Sequence, residues 1–223
     1  MEHDLMEHNL MNNVTLTGSH VALEPLLYEH KDALLEAASD GELWQLWFTG
    51  VPSAQTIDDY LQTALEQQRN NTALPFVVRH LASNTIIGCT RLCNASEQNR
   101  RIEIGYTWYA KSHQRSVVNT ECKLLLLSHA FEQLNRVAVE FRTHWMNHAS
   151  RKAIARLGAK QDAILRKFIV NKDGSTADKV VFSILDDEWP MVKQHLQFKR
   201  TQYSSLSPSA CSNNQQSVSK FSE

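Results

Sequence analysis

The sequence predicts an α/β (α+β) domain, and three observations carry that expectation. Residues 101–108 (RIEIGYTW) alternate in the manner of a strand. Residues 111–134 (KSHQRSVVNTECKLLLLSHAFEQL) open on a polar, cationic run and become a dense apolar helix from about Val118, with Cys122, Leu125, Leu126, His129 and Ala130 at helical spacing. A β-branched run over residues 136–143 follows. Because residues 124–127 carry apolar surface round a whole turn, the helix must be covered on more than one side, by a sheet. The order strand, basic loop, buried helix, strand leaves free backbone N–H groups at a helix start beside Lys111, His113 and Arg115, which suits a phosphate.

The remaining elements follow in order. Residues 1–13 read as a flexible leader in which His3 and His8 stand among acidic residues, more simply a solvated tail than a metal site. Residues 17–19 (TGS) form a turn into a first strand over 20–26 (HVALEPL). An amphipathic helix over 28–39 puts Ala33, Leu34, Ala37 and Ala38 on one side. Trp44, Trp47 and Phe48 crowd the loop before Gly50 and Pro52, and a second amphipathic helix spans 57–70. Strands at 76–80 and 85–92 make a hairpin, and a polar turn over 94–100 leads into the strand that carries Glu103. After residues 137–143 come a helix over 150–157 stopped by Gly158, strands at 161–171 and 176–185 joined by the turn 172–175, and a closing helix over 187–197 with Pro190 in its first turn. From residue 199 the composition shifts to Ser, Gln and Asn, so a disordered polar tail over 199–223 is expected.

The 223 residues fit one sizeable domain, here residues 14–198, or two small ones. Lys and Arg number 23 against 24 Asp and Glu, which disfavours a surface spread with polyanion contacts while allowing a local cationic pocket. No nucleic-acid or membrane role is expected, since no apolar run approaches transmembrane length and the acidic N-terminus is unlike a secretory signal. Cys89, Cys93, Cys122 and Cys211 lack zinc or redox spacing and read as reduced thiols of a cytoplasmic protein.

The segment 105–132 (GYTWYAKSHQRSVVNTECKLLLLSHAFE) resembles the pyrophosphate-binding region of the GCN5-related N-acetyltransferases (GNAT), and within them the ribosomal-protein-alanine acetyltransferase (RimJ/RimL-like) branch. Two further stretches share the likeness: Asn147, Ser150 and Arg151 through Leu157-Gly158-Ala159, and residues 180–189 (VVFSILDDEW). The resemblance spans about residues 14–196. It implies the GNAT-like acyl-CoA N-acyltransferase fold, a mixed, mostly antiparallel central sheet flanked by helices, and acetyl-CoA as co-substrate with no metal. In the family's Gln/Arg-x-x-Gly-x-Gly/Ala loop, Gln114, Val117 and Asn119 stand at the motif positions, so both glycines are replaced. Glycine admits close approach and open backbone geometry, and Asn tolerates left-handed geometry better than Val does. Arg115, Ser116, Val118 and Thr120 complete the loop that the resemblance assigns to the coenzyme.

By the same resemblance, Gly105, Tyr106, Thr107 and Trp108 offer main-chain contacts to pantetheine, and the Asn147 amide reaches the coenzyme. Glu103 lies on the strand where such enzymes carry a catalytic Glu, able to take the amine's proton directly or through water; the plainer reading is a structural carboxylate paired with Arg101 or Arg142. The family's Tyr acid, seven residues after the Asn, is Ile154 here. Ser150 matches the branch's Ser acid, though a helix N-cap or first-turn hydroxyl describes it as well. Trp44, Trp47 and Phe48 fall in the loop that covers the acceptor in this family, and equally suit an aromatic patch over the core. His144 and His148 flank Trp145 near the cleft.

The expected activity is therefore direct transfer of an acetyl group from acetyl-CoA to a primary amine, a protein N-terminus or a small amine, with no activated nucleophile in evidence. The alternative is a non-catalytic acyl-CoA sensor or scaffold that keeps the fold. A nucleotide-binding α/β protein fits less well, since the glycine patterns of such sites are missing. A homodimer is compatible with either leading reading.

Overall fold

The structure, a computed structural model, describes residues 13–205 apart from Lys172. The expected leader through residue 12, Cys211 and the polar segment from residue 206 lie outside the described residues. Eight strands form one sheet in the order β1-β2-β3-β4-β5-β6-β8-β7. They are β1 (Leu16–Thr17), β2 (Val21–Pro25), β3 (Ala73–His80), β4 (Thr85–Ser96), β5 (Arg101–Tyr109), β6 (Ala138–His144), β7 (Lys160–Val170) and β8 (Thr176–Leu185). Every neighbouring pair is antiparallel except β5 and β6. A parallel pair needs a crossover, and α3 (Val117–Ser128) supplies it. The sheet is thus mixed and mostly antiparallel, as expected, with strand ends moved by a few residues.

Period-2 patterning divides the core between the two faces. Leu74, Phe76, Leu92, Ile102, Ile104, Val139 and Phe141 point to one face, where they meet α3, α4 (His148–Arg156) and α5 (Trp189–Ser205). Val77, Cys89 and Trp108 point to the other, under α1 (Lys31–Ser39) and α2 (Ile57–Arg69). The organising helix α3 is capped by Ser116, whose Oγ accepts from Val118 N and donates to His113 O. Val118, Cys122, Leu124, Leu126 and Leu127 are all buried, because the sheet covers one side of the helix and α5 another. Leu126→Ala would cost about 2–5 kcal/mol at such a site.

A buried carboxylate ties the start of β2 to this helix. Glu121 accepts hydrogen bonds from the backbone N–H groups of Ser19 (2.9 Å), His20 (2.7 Å) and Val21 (3.1 Å). Gly18 makes room for it, since a Cβ there would lie 2.6 Å from Glu121 Cδ. Gly158 ends α4 in the left-handed conformation, φ +105°, as the sequence suggested.

One boundary differs. The sequence places the end of the closing helix at residue 197 and a disordered tail from 199, whereas α5 runs on to Ser205. Leu196 is buried in the core and Lys199 Nζ donates to Arg156 O at the end of α4, so the polar residues that follow are the solvated side of a docked helix.

Candidate functional site

β5 and β6 pair over only three residues: Arg101 with Ala138, Ile102 with Val139, and Glu103 with Glu140. Beyond that point β5 stays on β4 and β6 on β8, but the two strands part. Residues 104–109 and 141–144 therefore turn main-chain groups toward a crevice with no ladder partner across it. A bulge sharpens the geometry. Between the pairs Cys89–Trp108 and Arg91–Gly105, β5 spends three steps against two in β4. Tyr106 takes up the extra residue at φ +53°, a conformation costly for an aromatic residue. The Arg91 guanidinium, fully buried, lies 4.0 Å from the centre of the Tyr106 ring and braces it there.

The N-terminus of α3 opens at the end of the same strand. Gln114 Nε2 donates to Tyr109 O (2.9 Å), fixing the loop on β5. Positive φ falls at Arg115 (+59°), whereas Val117 and Asn119 are ordinary helical residues, both half-buried. The replaced glycines thus change the bulk at the helix start and not its conformation. The side chains of Val118 and Thr120 turn into the core, and the Val118 N–H is spent on the Ser116 cap, which leaves the N–H groups of Val117 and Asn119 at this helix start. Ser116 spends its hydroxyl on the cap. Lys111 and Arg115 are exposed and form no ion pair among the described residues, while His113 packs edge-on to His80 (5.0 Å) and bonds Ser112. Trp108 is buried against α2, its indole N–H donating to Tyr60.

Glu103 is buried on the face opposite α3, beside Cys93 and Gly105, at the mouth of the fork. It accepts from Asn94 Nδ2 (2.8 Å) and lies 3.5 Å from Arg142 Nε. Arg101 pairs with Glu140 instead. The carboxylate is consequently held in place at the fork, which suits a base as well as an ion-pair partner. Asn147 caps α4, its Oδ1 accepting from Ser150 N (3.0 Å), and this leaves the amide N–H groups for another acceptor. Ser150 is a first-turn residue, not the cap, and its hydroxyl has no hydrogen-bond partner among the described residues.

Trp47 and Phe48 gather at the far end of β6 against His144, with ring centres 5.0 and 6.3 Å away. Trp44 does not join them, and packs on the core beneath α1 and α2. The sequence leaves His144 between acceptor-side chemistry and polar lining of the cleft. Its Nδ1 accepts from Met146 N (3.1 Å), so the neutral ring carries its proton on Nε2, which is buried and has no hydrogen-bond partner among the described residues. Burial lowers its pKa and keeps it neutral.

Sequence reasoning passed over Lys123. This side chain of α3 is buried and donates to Thr107 Oγ1 (2.7 Å), which in turn shares a hydrogen bond with Thr90 Oγ1 (2.8 Å). Burial pulls the ammonium down to about 8. The signal was present: a charge inside a run so apolar that no face is left for solvent.

Residues 20–160 match the family described as Acetyltransferase (GNAT) domain. The chain is 28% identical over 148 residues, 64% of its length and 78% of the relative's, to a Bacillus subtilis protein named "Putative ribosomal N-acetyltransferase YdaF". Among solved structures, a GCN5-related N-acetyltransferase from Brucella melitensis is 31% identical with a TM-score of 0.77, covering 85% of this chain and 86% of that one. Mycobacterium smegmatis RimJ in complex with CoA-disulfide is 19% identical, a likeness of fold, with a TM-score of 0.71 over 85% of this chain and 96% of that one. Among the described residues no helix is long and apolar enough to cross a membrane, and no group of three or more His, Cys, Asp or Glu side chains is gathered as for a metal ion.

Proposed function

The chain belongs to the GNAT acetyltransferase family, an acyl-CoA-dependent acetyltransferase by that membership, and from this premise we propose that it transfers acetyl from acetyl-CoA to a primary amine in a single ternary complex. The observation that carries the reading is the parting of β5 and β6 beside the bulge at Tyr106. The N–H groups among residues 104–108 that point away from β4, toward the parted β6, suit the amide oxygens of pantetheine and the thioester carbonyl, whose charge they would stabilise as it grows. The α3 start, with Ser116 to Thr120 and the exposed Lys111 and Arg115, suits the pyrophosphate. The free amide N–H of Asn147 reaches toward the same ligand. The coenzyme-bound RimJ neighbour has the same fold, which supports this placement.

On the acceptor side Glu103 takes the amine's proton, directly or through one water, and Trp47, Phe48 and His144 wall the entry. His144, neutral and protonated on Nε2, acts there as a donor and not as a base. Direct transfer is favoured because the described thiols are poor nucleophiles: burial pushes Cys93 and Cys122 up to about 12. The ribosomal name of the Bacillus relative favours a protein N-terminus as acceptor, with a small amine as the other class. Calorimetry with acetyl-CoA and a thiol-release assay over amines and N-terminal peptides test the reading. One site per chain with turnover on an acceptor supports it. Binding without turnover on any acceptor supports an acyl-CoA sensor instead, and no binding at millimolar ligand ends both.

A further inference from the structure

On the reading that the coenzyme lies in the β5–β6 fork, we propose that the Lys123 ammonium is the proton donor to the departing coenzyme A thiolate. Its nitrogen reaches from α3 to Thr107, one residue past the bulge on β5, and also lies 5.9 Å from the centre of the Phe141 ring, the first residue of β6 beyond the last β5 pair. The cation is thus bracketed by the two strands just where they separate.

The surroundings give this charge little to do in the fold itself. Thr107 Oγ1 is its single hydrogen-bond partner, and no carboxylate is within ion-pair distance of it among the described residues. Thr107, Thr90 and Phe141, the groups that face it from β5, β4 and β6, do not titrate; the Cys122 thiol of its own helix is the titratable neighbour acting on it. A buried ammonium without an anion is costly, and a fold that needed only packing would place Leu or Met there. An anion that forms in the fork during turnover supplies the missing partner. The sequence lacks the family's Tyr at Ile154, which is buried in the core, and burial pushes up the pKa of Tyr109 and Cys122 on that face, which makes them poor acids beside Lys123.

The step balances. The acceptor nitrogen attacks the thioester carbonyl carbon, the C–N bond forms, and the C–S bond breaks with its electron pair on sulfur. Sulfur takes a proton from Lys123, leaving a neutral amine. The acceptor nitrogen gives up its extra proton to Glu103 or water, and Lys123 regains one from solvent as coenzyme A departs.

The test needs no acceptor. Thiolate absorbance of coenzyme A bound to the full chain is titrated in wild type, Lys123→Met and Lys123→Arg, with circular dichroism to establish folding. The bound thiol is expected to ionise about one pH unit or more lower in wild type than in K123M, with K123R retaining the shift because it keeps the charge. Equal titrations in wild type and K123M, with coenzyme A bound to both, overturn the proposal and leave the binding reading intact. Loss of the shift in a folded, coenzyme-binding K123R as well as in K123M overturns it too. If coenzyme A binds to none of the three, the placement of the coenzyme fails and the proposal falls with it.

Discussion

Asn94 donates to Glu103 across the β4–β5 hairpin, Nδ2 to Oε2 at 2.8 Å, and so aims the carboxylate at the place where β5 leaves β6. If that carboxylate takes the acceptor proton, Glu103→Gln lowers kcat about 100-fold or more, the usual scale for a positioned base, while acetyl-CoA affinity stays within a few fold. Steady-state thiol release and calorimetry measure the two. Unchanged kcat would leave Glu103 as the ion-pair partner of Arg142 alone.

Trp47→Ala and His144→Ala act at the other end of the cleft. Each is expected to raise the acceptor KM about tenfold, about 1.4 kcal/mol of binding, without changing acetyl-CoA affinity. A matching loss of acetyl-CoA affinity would move these residues to the coenzyme side. Trp44→Ala is expected to lower the thermal midpoint instead, since that ring packs on the core beneath α1 and α2.

Glu121 makes a stability prediction independent of catalysis. Its carboxylate accepts from three consecutive backbone N–H groups at the start of β2. Glu121→Ala leaves them without that partner in a part-buried place and is expected to cost about 3 kcal/mol, read by urea denaturation. A midpoint within experimental scatter of wild type would contradict the role.

Much of the fold was legible because its elements announce themselves locally. The alternation of residues 101–108 and the apolar run of 124–127 placed β5 and α3, and Gly158 marked the end of α4. What stayed hidden depends on tertiary context. Nothing in Tyr106 signals positive φ, since its conformation is imposed by the extra residue opposite β4 and braced by Arg91 on that neighbouring strand. The missing glycines looked like a conformational problem, yet positions 117 and 119 are helical and the left-handed residue is Arg115. The polar residues after 198 read as tail because composition does not reveal that Leu196 and Lys199 dock the helix that carries them.

Lys123 also predicts a pH dependence. Its folded pKa, about 8, lies below the ordinary 10.5, so between these values the unfolded chain binds more protons than the folded one. Stability therefore rises with pH in that window on this residue's account, by about 3 kcal/mol in all. Tyr and Cys groups titrate nearby, so the difference between wild type and Lys123→Met is the quantity to follow by denaturation from pH 7.5 to 10.5, a range set by those two pKa values. Wild type should gain on the variant as pH rises; a flat difference would contradict the burial of the charge.

Hydrogen exchange with and without acetyl-CoA reads the main chain of the fork residue by residue. With coenzyme in the fork, exchange slows in the segments 104–108 and 116–120, with β7 and β8 unaffected. Binding that protects other segments and leaves these two unchanged would contradict that placement.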